Sequence, residues 1–132
     1  MAIIKAPTLA DTVYQGPQGN LSLAEGRITL NDKVKVGDVI ELLELPLGIC
    51  IYGMSVVSHE GVNLNLAIAV SCGDTVLASG IGIYKPTTSF WSIKPYTTKE
   101  GGEKLTVTVT TRPSNYVPGQ FGVTILYVAV GH

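Results

Sequence analysis

Gly37-Asp38-Val39-Ile40-Glu41-Leu42-Leu43-Glu44-Leu45-Pro46-Leu47-Gly48-Ile49-Cys50-Ile51-Tyr52-Gly53-Met54-Ser55-Val56-Val57-Ser58 reads as strand, tight turn, strand. Pro46-Leu47-Gly48 supplies the bend, and the flanking runs are rich in residues that fit a pleated, half-buried surface. The pair opens a stretch, Ile49 to Tyr84, whose only charged residues are Glu60 and Asp74, with His59 as the one other ionisable imidazole. A strand exposed on one face alternates apolar with polar residues. Near-continuous apolarity therefore implies cover on both faces, from a second sheet or another subunit.

The same pattern extends in both directions. Strands are predicted at Arg27 to Leu30, Val39 to Leu45, Ile49 to Ser58, Leu64 to Cys72, Thr75 to Tyr84, Ser89 to Ile93, Lys104 to Thr111 and Gln120 to Val130. Turn-forming residues separate them at Asn31-Asp32, Gly73-Asp74, Gly101-Gly102 and Pro113-Ser114-Asn115. No helix-period stretch competes. Several short strands with regular turn signals argue for an all-β fold, a single antiparallel β-sandwich that matches a jelly roll particularly well.

Residues 1–26 differ, with Pro7, Gly16, Pro17, Gly19 and Gly26 scattered through them and no sustained period. They read as an extended N-terminal arm ahead of a sandwich domain spanning 27–132, and Leu9, Val13, Tyr14, Leu21 and Leu23 are apolar enough to anchor it on a neighbour. The expectation is that deleting the arm leaves the sandwich folded. The last strand is apolar on both faces: Phe121, Val123, Ile125, Tyr127 and Ala129 form one, and Gly122, Thr124, Leu126, Val128 and Val130 form the other. An uncharged edge of that length invites aggregation, so a central position or an oligomer interface is expected.

Composition agrees with covered surface. Only 14% of the 132 residues are charged, against about 25% in an average globular protein, while 45% are apolar. Mean hydropathy is +0.33. A formal charge of −1 gives no basic field for a polyphosphate backbone, so nucleic acid is not an expected partner. The N-terminus lacks a secretory pattern, and the uncharged tail from Pro113 to Gly131 holds residues costly in a spanning helix. The chain is read as soluble, with no membrane partner, and made in a cytosol.

Catalytic groups are few. His59 sits in a polar break and His132 at the chain end, which makes nucleophilic or metal-dependent schemes hard to assemble, and no cofactor is implied. Glu41 and Glu44 are three apart, a spacing that points to opposite faces of a regular strand. Cys50 and Cys72 lie in apolar strands and read as small buried hydrophobes, with a disulfide open to them only if the strands pair in register. Gly80-Ile81-Gly82-Ile83 lacks the setting of a dinucleotide fingerprint, and its glycines are read as admitting a neighbouring backbone or a large aromatic. Trp91, Tyr96 and Tyr116 stand near lysines or in a turn, where aromatics either anchor an interface or plug the sandwich.

Gly37-Asp38-Val39-Ile40-Glu41-Leu42, Leu45-Pro46-Leu47-Gly48 and Ile51-Tyr52-Gly53, with Leu105 to Thr110 and Gly119 to Val128 as a closing strand pair, resemble the capsid decoration (cement) proteins of tailed bacteriophages that have a β-sandwich fold. The resemblance spans roughly residues 27 to 130. It implies a non-enzymatic subunit that binds the exterior of an assembled virion shell, a homo-oligomer and in particular a homotrimer, with the major capsid protein as partner. A tail or collar component, and a carbohydrate- or receptor-binding sandwich with Trp91, Tyr96 and Tyr116 as its platform, are the alternative readings.

Overall fold

The computed structural model describes residues 3–11, 13, 20–58, 66–83, 87–99, 102–114 and 118–130, and of 87–92 the backbone only. The strands are β1 (Ile3–Lys5), β2 (Leu21–Thr29), β3 (Val39–Leu45), β4 (Ile49–Ser58), β5 (Leu66–Cys72), β6 (Thr75–Ile83), β7 (Thr87–Thr97), β8 (Glu103–Thr111) and β9 (Gln120–Ala129). A single 3₁₀ turn, Pro7–Ala10, follows β1. No α-helix occurs among the described residues.

Two sheets form, in the orders β1-β3-β8-β5-β6 and β2-β9-β4-β7. The antiparallel pairs are nested: β2 with β9, β3 with β8, β4 with β7, and β5 with β6. Such nesting is a long hairpin wrapped into two four-stranded sheets, which is the eight-stranded jelly roll. β1 adds to it by pairing parallel with β3. The expected jelly-roll sandwich is therefore the observed one.

The last strand is central, hydrogen-bonded to both β2 and β4. Its inward row of Phe121, Val123, Ile125 and Tyr127 is fully buried and meets Ile40, Leu105, Val107, Leu66 and Ile68 of the other sheet in one core. Each large apolar side chain so buried contributes about 1.5–3 kcal/mol.

Several details differ from the sequence reading. β2 begins at Leu21 rather than Arg27, so Leu21 to Gly26, expected in the arm, are strand. The cause lies in packing: β2 gains nine residues of ladder along β9, which a propensity reading of Leu-Ser-Leu-Ala-Glu-Gly does not reveal. Gly26 is needed at its position, since a Cβ there would stand 2.6 Å from the Leu42 Cβ where β2 crosses β3.

Glu41 and Glu44 do not diverge. A bulge between Glu41 and Leu43 buries Leu42 and Leu43 in succession and resets the alternation, so Glu41 pairs with Thr106 and Glu44 with Lys104 on the outer face. Gly80 admits no close neighbour, since nothing lies within 4 Å of a Cβ there; its φ of +69° accompanies the irregular register between β5 and β6. β4 and β5 belong to different sheets, and Cys50 and Cys72 are free thiols.

The described residues ahead of β2 pack on the sandwich itself. The Ala6 N–H donates to the Glu41 carbonyl at 2.9 Å, and Ala6 and Val13 are buried. The Thr8 hydroxyl donates to the Leu42 carbonyl at 2.7 Å and accepts from the Arg27 N–H at 3.1 Å. One side chain thus ties β3 of one sheet to β2 of the other.

Candidate assembly interface

The outward face of the β2-β9-β4-β7 sheet follows from register. Inward rows end in Ile28-Phe121, Ala24-Ile125-Met54 and Ser22-Tyr127-Ile51, so the intervening residues face out. One outward row is Leu21, Val128, Cys50 and Thr97; the next is Leu23, Leu126 and Gly53. Leu21 and Leu23 are 65% and 64% exposed, and Leu126 and Val128 are half-buried between them and β4. Tyr52 and Val130, both exposed, extend the patch.

The rows beyond carry charge: Glu25 with Thr124 and Ser55, then Arg27 with Gly122 and the half-buried Val57. Glu25 and Arg27 form an ion pair along β2. The outer face is therefore divided, apolar toward the β3–β4 turn and polar toward the opposite end. Contiguous exposed apolar side chains with a polar border are the mark of a contact surface. Cross-strand pairs of this type also reinforce the sheet, by roughly 0.2–1 kcal/mol each.

Four of the residues singled out in the sequence, Leu21, Leu23, Leu126 and Val128, thus come together as cross-strand neighbours. The others do not join them. Leu9 is half-buried in the 3₁₀ turn, and Val13 is buried in the core. Tyr14 and Tyr116 lie outside the described residues, and Trp91 is placed only by its backbone, opposite Met54. Tyr96 packs against the core, and its hydroxyl donates to Glu103 Oε1 at 2.5 Å.

Cys50 and Tyr52 are the patch residues to which the sequence reading does not point, whereas Val130 shares the face read for Leu126 and Val128. The signal for the first row was present: Leu21 and Leu23 keep the period-two phase of Glu25, Arg27 and Thr29, which marks the outward face once β2 is extended backward.

Glu103 organises the turn end beyond this patch. Its Oε1 also accepts the Lys99 N–H at 2.9 Å. Burial and then the nearby Glu103 carboxylate push the Cys72 thiol up to about 12. Burial and then the hydrogen bond to Glu103 push the Tyr96 phenol up to about 12 as well. Next to it, Thr98, only 2% exposed, donates to the Pro46 carbonyl at 2.7 Å and accepts from the Ile49 N–H at 3.0 Å. These groups fix the β3–β4 turn against the end of β7. Among the described residues no group of three or more His, Cys, Asp or Glu converges on one point.

No protein-family model and no curated protein matches the sequence. Solved structures do share its fold. A chain in the capsid of Ralstonia phage GP4 superposes with a TM-score of 0.73 at 14% identity, over 99% of this chain and 100% of that one. A chain in the capsid asymmetric unit of cyanophage Pam1 gives 0.62 at 19% identity, over 90% and 94%. A chain in the capsid of Helicobacter pylori bacteriophage KHP30 gives 0.57 at 17% identity, over 87% and 92%. The jelly roll described above is thus also the fold of chains found in three phage capsids.

Proposed function

We propose that this chain is a virion structural protein that binds the outer surface of an assembled capsid, as a homotrimer, and stabilises the shell. No catalysis and no cofactor enter this role. The observation that carries the reading is the apolar patch of Leu21, Leu23, Leu126 and Val128 on one end of a sheet face. It stands on a jelly roll matched almost end to end by chains from phage capsids. A rigid sandwich supplies a unit that resists deformation, and the patch supplies a surface for joining copies. The major capsid protein is the partner that the rest of the surface meets, with Leu9 and the exposed Ile3 offering further apolar contact ahead of β2.

The test is to mix purified protein with undecorated, expanded shells and image the particles. Added density at regular positions outside the shell is the expected result. Particles without added density would overturn exterior binding and favour a tail or collar component.

A further inference from the structure

The end of the sandwich opposite the apolar patch holds a second feature. The β2–β3 loop and the chain leaving β8 enclose an open depression of about 360 Å³, lined by Asp32, Lys33, Val34, Lys35, Val36 and Arg112. Its form is set by the fold. Val34, 2% exposed, plugs the core beneath the loop, while Lys33 and Lys35 on either side of it are exposed. The Lys33 N–H donates to Asn31 Oδ1 and the Lys35 N–H to Asp38 Oδ2, each at 2.9 Å. The Gly37 N–H donates to the Val109 carbonyl at 2.8 Å, and the Val109 N–H returns to the Asp38 carbonyl at 3.0 Å. Across the depression, Arg112 Nη2 donates to the Asp32 carbonyl at 3.1 Å, which holds the guanidinium against the loop.

Three cationic residues, Lys33, Lys35 and Arg112, therefore line one depression whose loop backbone is already fixed. Of the two carboxylates nearby, Asp38 is buried and accepts the Lys35 N–H, leaving Asp32 as the one acidic side chain in the lining. Among the described residues neither Lys33 nor Lys35 forms an ion pair. Val36, 59% exposed, adds an apolar rim. Concave, low-dielectric walls beside like charges focus an attractive field on anions, and a guanidinium with two ammonium groups suits carboxylate oxygens.

We infer that this depression is a docking site for a carboxylate-bearing segment of a protein partner. A protein rather than a nucleic acid is indicated by scale: with nine cations and a formal charge of −1, the chain has no extended basic track for a phosphate backbone, only this compact cluster beside an exposed valine. The site goes beyond self-association through the apolar patch and does not depend on it.

The test titrates the isotopically labelled full chain with a hexaglutamate peptide at low salt, following backbone amide resonances, with hexaglutamine as control. Saturable shifts confined to 31–38, 112 and 114 are expected. They should weaken about tenfold or more when salt rises from about 20 mM to about 200 mM, and by a similar factor in the K33Q/K35Q double variant, whose exposed side chains can change without unfolding the chain. The inference is overturned by absence of saturable shifts, by equal shifts with hexaglutamine, by unchanged affinity in the double variant, or by an oligothymidylate occupying the same loop at lower concentration than hexaglutamate. Because the probe is a free peptide, a negative result leaves binding to shells to be judged by imaging alone.

Discussion

At the scale of single residues, the turn end of the sandwich depends on polar groups buried where water cannot replace their partners. Replacing Thr98 with Val keeps the shape but leaves the Pro46 carbonyl and the Ile49 N–H without the hydroxyl that serves both. The expected loss is about 2–3 kcal/mol in urea unfolding; a midpoint equal to wild type would show that the turn is held by its backbone alone. Cys72 and Tyr96 give a pH dependence whose sign can be worked out. Unfolded, the thiol ionises near 9.0 and the phenol near 10.0; folded, both are held at about 12. Between about pH 9 and 12 the unfolded chain therefore binds fewer protons, and stability falls as pH rises. Below pH 9 this contribution is fully present. The urea midpoint should hold steady to about pH 8.5 and decline above it, and the decline should be shallower in Cys72→Ala. An equal slope in that variant would assign the alkaline loss elsewhere.

At the scale of elements, the strands from Val39 onward were legible because period-two patterning and glycine or proline turns agree there. β3 and β4 have the bounds read from Val39-to-Leu45 and Ile49-to-Ser58. What was not legible depended on partners distant in sequence. Leu21 to Gly26 become strand through β9, about a hundred residues away, and Glu41 and Glu44 share a face through a bulge that no local rule signals. The apolar patch was half legible: Leu21, Leu23, Leu126 and Val128 were named, but their meeting required the β2–β9 register. This changes what truncation should do. Removing residues 1–11 takes away β1 and the Thr8 bridge, and should leave a folded sandwich weakened by about 1–3 kcal/mol. Removing residues 1–26 takes six of the nine residues of β2 and opens the edge of β9, so that protein should be largely insoluble. Circular-dichroism melts and the soluble fraction distinguish the two, and a soluble, cooperatively melting 1–26 deletion would show that β2 is dispensable.

At the scale of the whole molecule, the apolar patch and the basic depression lie at opposite ends of one sandwich. The apolar rows adjoin the β3–β4 turn, where the Val130 N–H donates to the Gly48 carbonyl at 2.8 Å. The basic depression lies where β2 and β8 end. Under the proposed function this separation matters physically, because a subunit of an assembly must hold its own copies and a partner at once, and repeated weak contacts then gain strength through effective concentration. It also makes the two surfaces separable by mutation. Leu23→Lys places a charge in the centre of the patch, beside Leu126, at a position exposed enough for the monomer to tolerate it. Light scattering after gel filtration should show wild type at three times the chain mass and the variant at one, the variant still melting cooperatively but at a lower temperature, because the stabilisation from association is lost. Hexaglutamate shifts at 31–38 should survive in that monomer, while K33Q/K35Q should keep the wild-type mass. A Leu23→Lys protein that remains trimeric would place self-association on another surface and leave the patch for a different partner. A wild-type chain already monomeric would do the same for the trimer itself, and binding to shells would then have to arise from single copies.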